Sequence, residues 1–213
     1  MPPLGRAPVE YYDISPEVTE GSAVFPGDAP YRRTVSMSFA GGDHLALSSI
    51  SGTVHIGAHA DAPSHYHPGG ASIEARPLSL YIGPCQVASA RPGPGGRIGA
   101  GSLPRIEAER VLFKTGTFPD PESWTEGFAS LSPELIFALA DAGVVLVGID
   151  TPSIDPHDSK ELESHQALFA RDMAVLEGLV LTGVPDGVYD LVAPPLRLKG
   201  ADASPVRAVL LKR

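Results

Sequence analysis

The stretch LSPELIFALADAGVVLVGID, residues 131–150, combines the signals of a helix with those of a buried strand. Ser132 is a favourable N-cap residue, and the proline that follows it suits the first helical turn. Gly143 is placed to end the helix, and the apolar run VVLVGID after it is typical of a strand that is covered on both faces. A helix that leads directly into a buried strand predicts an α/β fold.

Three other segments are predicted to be strands. ERVLFKTG (109–116) is a second apolar run that ends in a glycine turn, and GVYDLVAPPLRLKG (187–200) and SPVRAVLLKR (204–213) predict two carboxyl-terminal strands joined by a turn at Gly200. RPGPGGRIGAGSLP (91–104) is the segment richest in glycine and proline and predicts a loop. Because strands outnumber helices and a helix connects two of them, we expect an α/β fold with a mixed sheet.

Length and composition fit a single domain over residues 1–213. The chain is long enough to bury a full core, and its 43% hydrophobic and 19% charged residues are typical of globular proteins. The net charge of -9 argues against nucleic acid or an anionic membrane as the main partner. The amino terminus lacks the apolar core of a signal peptide, and no apolar run approaches the ~20 residues that span a bilayer. A soluble, cytoplasmic protein is expected.

Residues 55–70, HIGAHADAPSHYHPGG, contain four of the seven histidines of the chain. Imidazoles and carboxylates together suit Zn²⁺ or Mn²⁺ better than Ca²⁺ or Mg²⁺. A metal site of this kind with an open position can activate water near neutral pH. The segment therefore predicts a catalytic metal site, and its candidate residues are His55, His59, Asp61, His65 and His67.

The candidate residues can meet at one metal only if the segment bends. A straight strand would hold the Cα atoms of His55 and His59 ~13 Å apart. Two nitrogens that bind one ion at ~2.1 Å must be within a few ångströms of each other. A regular helix is disfavoured by Pro63 and the glycines, so we expect a kinked strand or loop with its bend at Gly57.

The histidine-rich segment resembles the signature His-x-Gly-Thr-His-x-Asp-x-Pro-x-His of the metal-dependent cyclase and kynurenine formamidase family. Six positions match, and Ala58 replaces the threonine. VFPGD (24–28) resembles the family's Trp-Pro-Gly-Asp stretch, with Phe25 in place of the tryptophan. The resemblance continues, in the family's order, through VGIDTPSIDP (147–156), ESHQALFARDMAVLEGLVL (163–181) and PPLRLKGADASPVRAVL (194–210).

The resemblance implies a cyclase-like (swivelling β/β/α) fold and two divalent metal ions, Zn²⁺ in the first place and Mn²⁺ as the alternative. It makes His55, His59 and Asp61 metal ligands, with Asp61 bridging the two ions. His165 and Glu177 would complete the second site. His65 would be the proton donor and acceptor, and Phe25 would line the substrate pocket.

The activity that the resemblance implies is hydrolysis of N-formyl-L-kynurenine, a small aryl formamide, to L-kynurenine and formate in tryptophan degradation. A metal-activated hydroxide would attack the formyl carbon, and His65 would protonate the departing amine. The resemblance also implies a homodimer. An isatin hydrolase or another cyclic amide hydrolase of the family is the alternative, although isatin hydrolases have glutamine at the position of Glu177. A non-catalytic metal-binding protein is a further alternative.

The spacing of His165 and Glu177 requires a turn between them, because twelve residues of one straight helix span ~18 Å. Other polar residues have simpler interpretations. His67 is predicted in a surface loop, with a place behind the metal ligands as the alternative, and His157 is predicted to be solvated. His44 has no partner that the sequence indicates. Asp150 and Asp155 are predicted to form turns with their own backbone. Cys85, the single cysteine, excludes an intrachain disulfide and is predicted to be a small buried residue. The absence of a G-x-S-x-G motif argues against an α/β-hydrolase mechanism.

Overall fold

A computed structural model describes residues 9–92, 96–102 and 105–213. In these ranges the strands are β1 (Tyr11–Asp13), β2 (Arg32–Met37), β3 (Leu47–Ser51), β4 (His59–Asp61), β5 (Ile82–Ser89), β6 (Arg97–Ile98), β7 (Arg110–Lys114), β8 (Ser130–Leu131), β9 (Leu146–Ile149), β10 (Ala174–Glu177), β11 (Gly187–Val192), β12 (Ala203–Pro205) and β13 (Val209–Lys212). The α-helices are α1 (Pro63–Tyr66), α2 (Pro133–Asp141) and α3 (Glu163–Ala170). Short 3₁₀ turns occupy Phe39–Gly41, Ile73–Ala75, Leu78–Leu80 and Ala100–Ser102.

A mixed sheet of nine strands forms the centre of the molecule, in the order β1-β13-β11-β5-β7-β9-β10-β4-β12. The four central strands β5, β7, β9 and β10 are parallel to one another. The strands on either side of them are antiparallel to their neighbours. Helix α2 lies between β7 and β9 in the chain, and α3 lies between β9 and β10. This arrangement confirms the predicted α/β fold with a mixed sheet.

The predicted helix and strand in residues 131–150 are both confirmed. The Ser132 hydroxyl accepts a hydrogen bond from the Leu135 backbone N–H at 3.2 Å, which caps the first turn of α2. Gly143 follows the helix with φ +88°, a left-handed conformation that glycine adopts without strain. The buried strand β9 begins three residues later, and the predicted strand in 109–116 is β7.

The sheet separates two hydrophobic cores because successive strand residues point to opposite faces. In β7, Val111 and Phe113 join the core that includes Leu135 of α2. Leu112, between them, joins the other core together with Leu191 of β11. The central strands are therefore covered on both faces, which explains their continuous apolar sequences.

The carboxyl-terminal region differs from the prediction of two strands joined at Gly200. It contains three strands, and Gly200, with φ +76°, lies in a turn that leads into the short strand β12. β12 pairs with β4 at one edge of the sheet, whereas β13 pairs with β11 and β1 near the other edge. Proline cannot donate a ladder hydrogen bond, which suits Pro205 to the end of β12, after which the chain crosses to the far side.

Two sequence predictions fall partly outside the described ranges. The predicted loop at 91–104 contains the strand β6, which pairs with β8, and its residues 93–95 and 103–104 lie outside the described residues. The expectation that no signal peptide is present rests in part on residues 1–8, which also lie outside them. None of the helices in the described part of the chain is long and apolar enough to cross a membrane. The cytoplasmic location stays a prediction.

Candidate metal centre and active site

The predicted bend of the histidine-rich segment is confirmed at Gly57, which has φ +58°. The bend turns the chain from His55 into β4, whose first residue is His59. The Gly57 carbonyl lies 2.9 Å from Nδ1 of His59. Because a carbonyl only accepts hydrogen bonds, this contact fixes the proton of His59 on Nδ1 and leaves Nε2 free to face other groups.

Glu177 and His165 reach the same place from two further elements. β4 and β10 are antiparallel, and their register sets His59 directly opposite Glu177, the last residue of β10. His165 lies on α3, and the chain turns back at Asp172, which has φ +50°, before β10 begins. The turn that the spacing of His165 and Glu177 required is therefore present.

Two histidines and two carboxylates form a compact buried cluster. His59 Nε2 is 3.5 Å from Asp61 Oδ1 and 3.4 Å from Glu177 Oε2. His165 Nε2 is 3.4 Å from Asp61 Oδ2 and 3.4 Å from Glu177 Oε1. Each carboxylate thus presents one oxygen to each histidine. All four residues are 3% exposed or less, so the cluster is shielded from bulk water.

The cluster fits a divalent metal ion. Ligand atoms ~2.1 Å from a tetrahedral ion are ~3.4 Å apart, which is the spacing observed in the cluster. Asp61 Oδ1 and His165 Nε2 are buried and have no hydrogen-bond partner among the described residues. Leaving one such atom unsatisfied costs about 1–3 kcal/mol, so a further group that both a carboxylate and an imidazole can bind would stabilise the fold here. A metal cofactor is such a group.

His55 and His65 lie beside the buried cluster. His55 Nδ1 is 2.9 Å from Asp61 Oδ1, without the alignment of a hydrogen bond, and its Nε2 is 3.0 Å from Asp202 Oδ2. His65 Nε2 is 4.0 Å from Asp61 Oδ2. His59, Asp61 and Glu177 each offer one ligand atom within 4.8 Å of the other two, and His55, Asp61 and His65 form a second group of the same kind. The structure therefore brings together the predicted residues His55, His59, Asp61, His65, His165 and Glu177.

The pKa values of His55 and His65 are shifted in opposite directions. Burial alone would lower the pKa of His55, but the neighbouring Asp61 and Asp202 carboxylates outweigh it and raise this pKa from 6.5 to about 9. Burial is the larger effect on His65 and holds its pKa below the usual value, despite the charge of Asp61. Burial would raise the pKa of Asp61, yet the His165 and His55 rings hold it well below its usual value.

The cluster forms the floor of a cavity of about 770 Å³. One wall is aromatic and includes Phe25, Phe118 and Trp124. The rings of Phe25 and Trp124 meet edge to face, with their centroids 5.1 Å apart. Phe25 thus lines the cavity, and its contact with substrate stays a prediction. Trp124 is an aromatic neighbour that no motif in the sequence indicated. A cavity of this size with one apolar wall suits a small aromatic molecule.

Asp155 was predicted to bind its own local backbone, and this prediction is wrong. Its carboxylate accepts hydrogen bonds from the backbone N–H groups of Ser164 and His165, nine and ten residues away. It also lies 2.9 Å from Nδ1 of His165, which directs Nε2 of that ring into the cluster. Asp150 likewise binds distant backbone, at Thr115 and Gly116. The sequence spacing of these residues does not predict hydrogen bonds between positions so far apart in the chain.

The prediction of a buried residue is confirmed for Cys85, whereas His67 and His157 are half-buried. His67 stacks on Phe169, with 3.7 Å between the ring centroids, and His44 is exposed. His157 is half-buried instead of fully at the surface, because it lines the cavity 3.6 Å from Glu126. Cys85 is completely buried, and burial raises the pKa of its thiol to about 12.

Comparison with known proteins agrees with this geometry. Residues 12–156 match the family model described as a putative cyclase. The chain belongs to the cyclase family. It is 46% identical over 212 residues to a kynurenine formamidase of Paracidovorax citrulli, which covers 93% of this chain and 95% of that protein. It is 48% identical over 202 residues to a kynurenine formamidase of Bordetella pertussis, with 93% of this chain and 96% of that protein covered.

Solved structures share the fold of this chain. A potential metal-dependent hydrolase with cyclase activity superimposes with a TM-score of 0.82 at 31% identity, over 97% of this chain and 99% of the other. An isatin hydrolase bound to the product analogue thioisatinate superimposes with a TM-score of 0.81 at 19% identity, over 96% and 92% of the two chains. At that identity the second likeness shows the cyclase fold alone.

Proposed function

We propose that this member of the cyclase family is a metal-dependent amidohydrolase that converts N-formyl-L-kynurenine to L-kynurenine and formate. The observation that carries the proposal is the buried cluster of two histidines and two carboxylates at the floor of a cavity with an aromatic wall. The cluster supplies the metal site, and the wall suits the aryl ring of the substrate. The extensive identity with kynurenine formamidases supports this choice of substrate.

The metal site is proposed to hold two divalent ions, with Zn²⁺ as the first choice and Mn²⁺ as the alternative. His55, His59 and Asp61 would hold one ion, and His165 and Glu177 would hold the other, with Asp61 shared. The support is that Asp61 turns Oδ1 toward His59 and Oδ2 toward His165. Glu177→Gln should lose one of the two ions in elemental analysis. A single ion in the unmodified protein under metal excess would show that the binuclear assignment is wrong.

His65 is proposed to carry the proton during hydrolysis. A divalent ion, when held by the cluster, would supply Lewis-acid activation of water and of the formyl oxygen. The His65 ring has about one third of its side-chain surface exposed (34%), and its Nε2 lies 4.0 Å from Asp61, beside the cluster and open to the cavity. It is placed to accept the proton of the attacking water. It then returns a proton to the aryl nitrogen as the carbon–nitrogen bond breaks, so that the amine leaves neutral.

A hydrolysis assay tests the proposed function. Metal-depleted protein and protein reloaded with Zn²⁺ or Mn²⁺ are given N-formyl-L-kynurenine in one series and isatin in a second. We expect turnover of the formamide only after reloading and much slower turnover of isatin. If isatin were hydrolysed faster than N-formyl-L-kynurenine, the protein would be a cyclic amide hydrolase instead. Metal binding without hydrolysis of either compound would support a non-catalytic metal-binding protein.

We also propose that the protein is one domain over residues 1–213 and forms a homodimer. The hairpin of β2 and β3 supports the dimer, because Val35, Phe39, Leu47 and Ile50 are each more than half exposed along it. Clustered apolar side chains of this kind mark interaction surfaces, and Arg32 and Arg33 on the same hairpin suit an acidic second copy. Light scattering should give twice the mass of the chain.

A further inference from the structure

We propose that Asp202 is a positioning residue that fixes the imidazole rings of both His55 and His65. The inference rests on the proposed function, because it assigns Asp202 its effect through the metal ligand and the proton carrier named there. Asp202 lies outside the histidine-rich segment, 147 residues from His55 in the chain. Its carboxylate nevertheless meets both rings.

A single carboxylate oxygen contacts the two histidines. Asp202 Oδ2 is 3.0 Å from His55 Nε2, which makes a hydrogen bond, and 3.5 Å from His65 Nδ1, a charge contact without the alignment of a hydrogen bond. The two rings lie side by side, with their centroids 4.2 Å apart. The negative charge of a carboxylate attracts an N–H group, so Asp202 favours a proton on each of these nitrogens, through a hydrogen bond at His55 and through charge at His65. The opposite nitrogens, His55 Nδ1 and His65 Nε2, are then the ones directed toward Asp61.

The fold holds Asp202 in register with the metal centre. Its backbone carbonyl accepts a hydrogen bond from the Ala62 N–H at 2.8 Å. The next residue, Ala203, is paired with Asp61 across the β4–β12 ladder. The strand pair that places Asp61 in the cluster therefore also places the Asp202 carboxylate beside His55 and His65. This accounts for the path of the chain, which brings the three-residue strand β12 back to the edge of β4.

The position of Asp202 matters because an imidazole has two nitrogens that can exchange roles. A free ring can rotate and present either nitrogen to the substrate, in either tautomer. A carboxylate that binds the outer nitrogen removes this freedom, as outer partners do for metal-binding histidines. Half of the Asp202 side-chain surface is exposed, so its contribution to packing is small and orientation is the effect that remains.

The experiment compares Asp202→Asn and Asp202→Ala in the zinc-loaded protein, with N-formyl-L-kynurenine as substrate. Loss of an outer partner of a metal-site histidine typically costs about 10–100-fold in activity. We expect Asp202→Ala to lower kcat by about 100-fold and Asp202→Asn by about 10-fold, since the amide oxygen still accepts a hydrogen bond. KM and Tm should stay near the values of the unmodified protein. Asp190→Asn is the control, because Asp190 is a partly exposed carboxylate paired with Arg213 and does not line the cavity.

A second readout does not depend on turnover. Protein labelled with ¹⁵N only in histidine reports by NMR which ring nitrogen of each histidine carries the proton, and His65 is assigned by the signals that His65→Ala loses. The proton of His65 should be on Nδ1 in the unmodified protein and be shared between both nitrogens in Asp202→Ala. An unchanged tautomer together with unchanged kcat would overturn the role of Asp202. An unmodified protein that shows the expected tautomer but no hydrolysis would refute the proposed function and leave the contact of Asp202 established.

Discussion

Three of the four histidines that surround Asp61 have one ring nitrogen bound to a fixed partner outside the cluster. His59 uses the Gly57 carbonyl, and His165 uses the Asp155 carboxylate. His55 uses the Asp202 carboxylate. Partners of this type select the tautomer and hold the ring in one orientation. The protein chain itself therefore preorganises the side chains, and a metal ion meets nitrogens that already face it.

His65 is the residue whose replacement should separate proton transfer from metal binding. His65→Ala should retain its metal, while kcat falls by about 10²- to 10⁴-fold, the usual contribution of a positioned acid or base. His67→Ala is the matched control, because His67 is stacked on Phe169 and should leave kcat close to that of the unmodified protein. Kinetics and elemental analysis of both variants provide the measurement. Loss of metal from His65→Ala would make His65 a ligand instead.

Phe25 should contribute to substrate binding without affecting the metal. Its ring is 43% exposed, lines the cavity and meets Trp124 edge to face. Aromatic pairs contribute about 0.5–1.5 kcal/mol beyond their buried area, so Phe25→Ala should raise KM by roughly 2- to 10-fold. Phe25→Trp should leave KM near that of the unmodified protein, since tryptophan also presents an aromatic face. Steady-state kinetics with N-formyl-L-kynurenine measure both, and an unchanged KM in Phe25→Ala would make Phe25 a structural residue.

At the scale of elements, the metal centre depends on the close approach of the chain after β10 to the bend before β4. Gly178 has φ +65°, and a Cβ atom placed there would lie 2.2 Å from the Gly57 carbonyl oxygen. That carbonyl is the partner of His59 Nδ1. No side chain fits at Gly178 unless the bend moves, and movement of the bend would displace His59.

Gly178→Ala should therefore destabilise the protein more than Gly143→Ala. Gly143 also has positive φ, at +88°, but a Cβ there would meet no atom of the described part of the chain within 4 Å. Its replacement should lower the free energy of unfolding by about 1–2 kcal/mol, the cost of the left-handed conformation. The clash at Gly178 should add about 1–3 kcal/mol to that cost. Urea unfolding of the two variants measures the difference, and equal losses would show that the contact with Gly57 is unimportant.

The elements that the sequence predicted correctly are those with local signals. Helix α2 has its cap at Ser132 and its glycine stop, and β7 and β9 are continuous apolar runs. The prediction failed for β12, because three residues without an apolar pattern become a strand only through pairing with β4. The candidate metal ligands could be predicted because the sequence motifs resemble those of the family. The contacts of Asp155 and Asp202 could not be predicted, because they depend on which distant strands and helices become neighbours.

At the scale of the whole molecule, the cavity is assembled from parts of the chain that are far apart in sequence. Its lining comes from residues within 15–28, 55–65, 116–124, 150–165 and 177–182. The buried ligands belong to β4, α3 and β10, which are held next to one another by the sheet and the turn at Asp172. A metal ion bound by all three elements would stabilise the folded state, because the unfolded chain cannot gather these ligands.

Removal of the metal should therefore lower the Tm of the protein. An ion present at 100 times its dissociation constant adds about 2.7 kcal/mol to the free energy of unfolding. For a chain of this size, each kcal/mol corresponds to about 2–4 °C, so chelation should lower Tm by roughly 5–11 °C. Differential scanning calorimetry with and without chelator, followed by addition of Zn²⁺, provides the measurement. Asp61→Asn is the control, since loss of the shared ligand should make its Tm independent of chelator and of Zn²⁺. A Tm of the unmodified protein that does not respond to either would show that the buried cluster is held together by its own hydrogen bonds and charges.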